Sequence, residues 1–590
     1  MIATLTVGLL LFTYAVAAQD SQKVVVTGTW TPIPLNEADR SITLLPVTAQ
    51  TSRLTTAWID LLRLEPSLDL QQRVPNGVLT DLSIRGSSFG QTLVLLNGLR
   101  LNDAQTGHFN MNLPVPLEAI DRIEVLKGAG SLFYGSDAVG GVVNVITNTP
   151  ERRSLRIRTA LGSFGAQQQR VDFGSSNKLW SQRLVVARDF STGFISNRDF
   201  RSLSGAYDLR LRSRLGSTSV LLASADRAFG AEQFYGNFPS WERTKTWWAG
   251  IRQELGSKTE ASFAFRRGTD LFVLYRDRPE LYTNHHAGET YQAALRRVET
   301  LNSNTRLSYG VEGLRDTLNS TNLGNRTRDR GAAYVGLDVR ALHRFSLTLG
   351  TREELYTGGG RQFNPTAAAG YWLSRGWKLK ASASRAFRLP TFTDLYYRDP
   401  ANVGNPMLRP ERAWNFEGAV QWVGLDSLRV ELTVFQRRER DGIDYFRRTP
   451  TDTWTAANFQ RLRFSGVEAA LAWTVRRGQT FEARHTSIRG SQESLSGLES
   501  KYVFNYPTEH SVFSWQGTLP FKTVARARLG RLGRVRRAAY STLDLFVASQ
   551  RGRFIPFIQM LNAADARYEE IPNVTMPGRT FLGGVELRVW

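Results

Sequence analysis

The sequence predicts a transmembrane antiparallel β-barrel of about 22 strands with an N-terminal α/β plug domain inside its lumen, and three observations carry that reading. From Glu151 to Trp590, apolar and polar residues alternate with a period of two over short segments divided by turns. The only long uncharged stretch is Ile2 to Ala18, so no helix of the mature chain can span a bilayer. The composition joins 50 Gly, 14 Trp, 18 Tyr and 32 Phe to no Cys, and a hydrophobic fraction of 41% is low for a helical membrane protein.

Residues 1–18 read as a secretory signal peptide, with an apolar centre from Val7 to Phe12 and small residues at Ala15, Ala17 and Ala18, although no Lys or Arg precedes the apolar core. The absence of Cys suits an exported chain that folds without a disulfide. Residues 19–40 form a polar connector holding the β-prone run Lys23-Val24-Val25-Val26-Thr27-Gly28. Residues 41–150 read as a compact α/β segment. A helix is expected from about Thr55 to Leu64, with Trp58, Leu61 and Leu62 on one face and Pro66 stopping it. Strands are expected at Leu82 to Arg85, Leu93 to Leu96, Ile120 to Lys127 and Val142 to Thr147.

The remaining 440 residues, 151–590, form the barrel. At roughly 20 residues per strand and connection they make about 22 strands. In Leu428 to Gln436, Leu428, Val430, Leu432 and Val434 share one face against Arg429, Glu431 and Thr433; Lys378 to Arg385 repeats the pattern. In Glu411 to Trp422, Glu411, Asn415, Glu417 and Gln421 oppose Trp414, Phe416, Val420 and Trp422. The aromatic face suits lipid, which turns the carboxylates into the lumen. A lumen that wide leaks unless stoppered, and the N-terminal segment is the available stopper. The net charge of +22 is dispersed through the alternating segments, which points to a charged lumen, solvated loops and lipopolysaccharide contacts rather than nucleic acid.

Four motifs of the α/β segment fall in order: Ser83-Ile84-Arg85-Gly86, Leu93 to Asn102, Val125-Leu126-Lys127-Gly128 through Tyr134-Gly135, and Gly140-Gly141-Val142-Val143-Asn144-Val145-Ile146. Their order and spacing resemble the plug of TonB-dependent outer-membrane receptors, with Asn97 where that family commonly has Asp and Ala129 where it has Pro. Lys23 to Gly28 resembles the TonB box, an extended segment able to add as a strand to a partner's sheet edge. Ala386-Phe387-Arg388-Leu389-Pro390 and Asn405 to Glu411 resemble paired barrel boxes of the family, and Pro577 to Trp590 resembles its closing strand. A phosphate-loop reading of Gly128-Ala129-Gly130-Ser131 fails, since position 133 is not Gly and no Gly-Lys-Ser/Thr follows.

The resemblance implies a monomeric Gram-negative outer-membrane transporter, not an enzyme, with no cofactor or resident metal, energised through periplasmic TonB and surrounded by lipid and lipopolysaccharide. The Lys23, Val24, Val25, Val26, Thr27 and Gly28 run would bind TonB. Plug–barrel contacts are expected from Arg85, Arg100 and Arg122 to Glu411 and Glu417. Apical loops, Arg73 to Asp81 and Asn102 to Leu113, would offer Arg73, Asn76, Asn102, Asp103, Gln105, His108 and Asn110 to a small-molecule substrate. Chain length resembles that of the cobalamin receptors, so a corrinoid leads; a ferric siderophore, haem (His285 and His286) or another metal chelate is the alternative.

Overall fold

A computed structural model describes residues 24–590 apart from positions 30, 235, 343, 425–426, 459–460, 476–477 and 493–496. The expected signal peptide and Lys23 lie outside the described residues.

The polypeptide from Ser154 onward closes into a 22-stranded antiparallel barrel, its first strand, Ser154–Gly162, pairing with its last, Thr580–Arg588. Period-two alternation does the sorting: Leu432 and Val434 are 50% and 53% exposed toward lipid, while Thr433 between them is 2% exposed in the lumen. Trp414, Phe416 and Val420 face outward, and Glu411, Glu417 and Gln421 face inward, as the pattern requires. Short turns close one end of the barrel, as at 177–179 and 256–258, and long loops crown the other, as at 389–410 and 441–460. Short turns mark the periplasmic end and long loops the extracellular end.

Residues 24–147 fill the lumen. Strands β1 (Val24–Val25) and β2 (Ile33–Pro34) pair with each other. They precede β3 (Ile42–Pro46), α1 (Ala49–Arg53), α2 (Trp58–Leu62), β4 (Leu68–Gln72), β5 (Thr80–Ile84), β6 (Thr92–Leu96), β7 (Leu99–Arg100), β8 (Ile120–Lys127), α3 (Ser131–Tyr134) and β9 (Gly141–Thr147). The central sheet runs β3-β8-β9-β6-β7, with β6 and β9 parallel. Val94, Leu96, Ile123, Val125, Val143 and Val145 pack with Leu61 and Leu62 in a core that continues onto barrel residues Leu221, Trp248 and Ala264. The stopper is thus packed on the wall, not merely enclosed by it.

The single helix expected over Thr55 to Leu64 is instead two short ones. The Thr55 hydroxyl donates back to the Thr51 carbonyl at 2.8 Å, and extended Ala57 donates its N–H to Asp60 Oδ2 at 3.0 Å, which starts α2 afresh. The strand expected over Leu82 to Arg85 ends at Ile84, because Arg85 takes φ +53 ahead of Gly86 at +72. Asn97 also takes a left-handed φ, +52, in the β6–β7 turn, where its amide bonds Thr147 at the end of β9.

Candidate functional site: docked leash, plug anchors and outer mouth

The polar connector, a leash leading into the plug, is docked on it from Val24 to Gly28. Val25 is fully buried, and the Val26 and Thr27 backbone N–H groups donate to Glu124 Oε2 at 2.9 and 2.7 Å. Asn144 Nδ2 donates to Thr27 Oγ1 at 3.0 Å, and the Gly28 N–H donates to the Tyr134 hydroxyl at 3.3 Å. Burial pushes that phenol up to about 12, so it stays neutral. Arg122, expected to reach the barrel, instead donates to Glu124 Oε1 and Asp121 Oδ2, both at 2.8 Å. Arg122 and Glu124 lie two residues apart on one face of β8, and Glu124 is the residue that holds the leash.

On the opposite end of β8, Arg85 joins the plug to two barrel strands. It donates to Glu417 Oε2 at 2.6 Å and to both oxygens of Glu468 at 2.7 and 2.9 Å, with its guanidinium 4.3 Å from the Phe435 ring centroid. Lys127 also contacts Glu468 at 2.9 Å, and Glu417 accepts from both Ser41 N and Oγ. Arg484 reaches plug residue Glu65 at 2.8 Å. Burial favours the neutral acid there, but Lys127 and Arg484 outweigh it and hold the Glu65 carboxyl well below its usual range.

Two other expected contacts are corrected. Glu411 does not meet the plug; it pairs with Arg388, directly opposite on the neighbouring strand, and accepts the Ile443 N–H at 2.6 Å. It begins its strand beside the extracellular loops, where the local Arg388 is nearer than any plug residue. The Arg100 side chain hydrogen-bonds within the plug, to Asp137 at 2.6 Å and the Ser136 and Tyr134 carbonyls at 2.5 and 3.0 Å, while its backbone exchanges hydrogen bonds with Gln292 of the wall.

Most of the remaining anchors run the other way, from barrel cations to plug acids. Asp39 lies between Lys378 and Arg340 at 2.8 and 2.7 Å, Asp69 accepts from Arg534 at 2.5 Å, and Glu118 sits 3.2 Å from Arg170. Reading the sequence as basic plug against acidic barrel missed these. The dispersed lumen arginines were the available signal.

Much of the apical set is engaged by neighbouring groups as well. Asp103 is paired with Arg266 at 2.7 Å. Asn102 is spent on Val94 N and Thr92 O, and Asn110 accepts from Asp103 N. Gln105 is buried, and Arg73 pairs with Asp81 at 3.0 Å. These groups tie the apical loops to one another and to the wall, and Asn102, Asp103 and Asn110 also line a small cavity beside Arg328 and Arg388. Asn76, at φ +63, and His108 remain half-buried. His108 Nδ1 bonds Asp81 Oδ1 at 2.8 Å, and its ring stacks on Phe89 at 4.3 Å and 24°. Loop residue Tyr502 meets Phe89 edge-on at 5.4 Å and Tyr445 at 6.2 Å. Lys501 lies 5.2 Å from the Tyr502 ring and Arg447 4.2 Å from that of Trp454. Plug apex and extracellular loops thus meet in an aromatic platform edged by cations. On the periplasmic side, a cavity of about 570 Å³ is bounded by leash residues Thr29, Thr31 and Pro32, plug residues Asn97 to Arg100 and wall residues Trp248, Arg252 and Arg296.

A closed 22-stranded barrel stoppered by an α/β domain that ion pairs fix to its wall defines a plugged outer-membrane receptor. Residues 34–142 match the family model described as TonB-dependent Receptor Plug Domain, and residues 134–554 that described as TonB dependent receptor-like, beta-barrel. The chain belongs to the TonB-dependent receptors: it is a transport protein of the Gram-negative outer membrane, partnered by TonB, and not an enzyme. It is 25% identical over 438 residues to the Vitamin B12 transporter BtuB of Vibrio vulnificus, covering 70% of this chain and 69% of the relative. It is 26% identical over 583 residues to the Iron-regulated outer membrane virulence protein of Vibrio cholerae, covering 87% and 86%. Among solved structures, the siderophore receptor PirA from Acinetobacter baumannii superposes with a TM-score of 0.77 at 14% identity over 93% of this chain and 98% of that one. A ferric enterobactin receptor (PfeA) variant from Pseudomonas aeruginosa gives 0.77 at 16% over 96% and 100%. At such identities these structures speak for the fold.

Proposed function

We propose that the chain imports a ferric siderophore carrying aromatic, anionic chelating groups. The carrying observation is the platform of Phe89, His108 and Tyr502, backed by buried Tyr445, with Lys501 at its edge and Arg447, itself paired with Glu499 at 2.8 Å, over the neighbouring Trp454 ring. Aromatic faces stack conjugated chelators, and the cations complement negative charge. Because Phe89 and His108 belong to the plug while Tyr445 and Tyr502 belong to the loops, a ligand seated there touches both bodies at once.

A corrinoid is the second reading, favoured by the relative named as a vitamin B12 transporter and by the stacking surface a macrocycle would use. In either case Lys23 to Gly28, docked over its described residues Val24 to Gly28, serves as the TonB box, and Arg85 with Glu417 and Glu468 holds the plug until TonB pulls. The receptor works as a monomer within lipid and lipopolysaccharide. Titrating purified receptor with ferric enterobactin and with cyanocobalamin, read by tryptophan fluorescence, separates the readings. Saturable binding of the ferric chelate, weakened in Tyr502→Ala, is expected. Binding of cyanocobalamin alone would transfer the assignment to the corrinoid.

A further inference from the structure

Beside the Arg85 anchor, the plug and three adjacent barrel strands, Trp377–Arg388, Glu411–Gly424 and Leu428–Arg440, enclose a cavity of about 10 Å³, room for one water-sized body. Strand register lines up its outer wall. Ser384 stands directly opposite Asn415, and Asn415 directly opposite Arg437. Arg40, Arg85, Lys127 and Gly128 form the plug side. A Cβ at Gly128 would lie 3.7 Å from Arg85 Nη1 and 3.8 Å from Arg40 Nη2, so the glycine leaves the space between the two guanidinium groups free.

The polar groups around this cavity are donors short of acceptors. Buried Arg40 donates from Nη2 to the Ala129 carbonyl at 2.5 Å, while its Nε and Nη1 have no acceptor among the described residues. Buried Arg437 donates to Glu439 from Nε and to the Arg85 carbonyl from Nη1, and its Nη2 has no acceptor. Asn415 Nδ2 and Ser384 Oγ are buried and unpaired as well. Guanidinium N–H groups can only donate, and each left unpaired away from water costs about 1–3 kcal/mol.

Charge points the same way. Arg40, Arg85, Lys127 and Arg437 line the cavity, and Glu417 is the only acid among the described residues that do. Arg85 takes Glu417 and shares Glu468 with Lys127, and Glu439 pairs with Arg437. Arg40 forms no ion pair among the described residues. Burial lowers its pKa to about 10, with Glu417 opposing and Arg85 adding to the shift, so it is still a cation at neutral pH.

We propose that this cavity is a halide site, in which one chloride ion accepts from Arg40, Arg437, Asn415 and Ser384 and ties the plug to the wall beside Arg85. Water fits the space but not the donor set, because its two lone pairs accept from two of these groups and leave the others unpaired. A polyatomic anion such as phosphate exceeds the volume. The ion serves the closed plug whichever substrate is carried.

Crystals of the full chain grown in sodium bromide, with diffraction collected at the bromine edge, test the site. An anomalous peak between Arg40 and Arg437 is expected in the parent, and its loss in Arg40→Gln. In solution, bromide exchanged for gluconate at constant ionic strength should raise the unfolding temperature of the parent. The dissociation constant fitted to that rise should increase at least about tenfold in Arg40→Gln, since a hydrogen bond to a charged group contributes that much or more. The milder Ser384→Ala should shift it in the same direction. Arg243→Gln, which removes a cation paired with Asp226 outside the cavity, should respond as the parent. Heat-modifiable gel mobility verifies that each variant is a folded barrel. A parent crystal without bromine signal at this position overturns the proposal and gives the cavity to water. So does a bromide response in Arg40→Gln equal to the parent's, which would make the effect general screening.

Discussion

Replacing Glu124 by Ala should undock the leash. Its carboxylate accepts the Val26 and Thr27 N–H groups at 2.9 and 2.7 Å and is itself fully buried. Hydrogen bonds to a charged group contribute roughly 1.5–3 kcal/mol each. Val26 is half-buried, so its freed N–H can find water, and the lower figure applies. Two bonds then amount to about 3 kcal/mol, or roughly a 100-fold rise in the undocked population. Val25, whose burial contributes about 1.5–2 kcal/mol, keeps a docked fraction in place. Because the chain has no Cys, a spin label on Thr29→Cys reports the segment without background. Glu124→Ala should add a mobile spectral component, and Glu124→Gln, which keeps one acceptor oxygen, should fall between. If docking competes with the partner, affinity for the TonB C-terminal domain should rise in the same order, because the competent fraction grows. Superimposable spectra and unchanged TonB affinity in Glu124→Ala would refute the latch.

Three further outcomes are expected. Glu468→Gln strips Arg85 and Lys127 of a shared carboxylate and should lower the force needed to extract the plug, by roughly 3–5 kcal/mol of anchoring; the paired change Arg85→Met/Glu468→Met should recover much of it, and an unaltered single variant would dismiss the anchor. Burial pushes the Asp60 carboxyl up to about 6, with Arg63 opposing. An acid raised on folding stabilises the fold fully below its unfolded value near ~4 and loses that contribution as pH rises through its folded value. Plug stability measured by pulling should accordingly fall by on the order of 3 kcal/mol between roughly pH 4 and 6, and Asp60→Asn should flatten the step. His108→Ala should weaken ferric enterobactin binding about tenfold through the lost stacking and edge contacts, measured by fluorescence titration, with barrel heat-modifiability unchanged; full-affinity binding would remove the platform from the site.

Much of the architecture was legible in local pattern. A strand has a side-chain period of two, so Leu432, Thr433 and Val434 declare their faces without knowledge of any partner. The same rule put Glu411 and Glu417 in the lumen and Trp414 and Phe416 in lipid. It could not say which lumen group each carboxylate meets. Glu417 faces Arg85, whereas Glu411, six residues away on the same face, belongs to Arg388. That difference depends on height within the barrel and on strand register, both of which are non-local. Arg122 shows the limit again: the plug motif locates it on β8, but only the sheet and the docked leash turn it to Glu124 rather than to the wall.

Composition and periodicity by themselves determined a wide barrel, an N-terminal stopper and a charged lumen, because each follows from neighbours along the chain. Tertiary structure decided what holds the stopper and what gathers at its apex: plug acids under barrel arginines, the Val26–Thr27 backbone clasped by Glu124, and His108 brought beside Tyr502 from nearly four hundred positions away. Such contacts depend on closure of the barrel around the plug, and Coulomb and stacking forces act over a few ångströms of space whatever the separation in sequence.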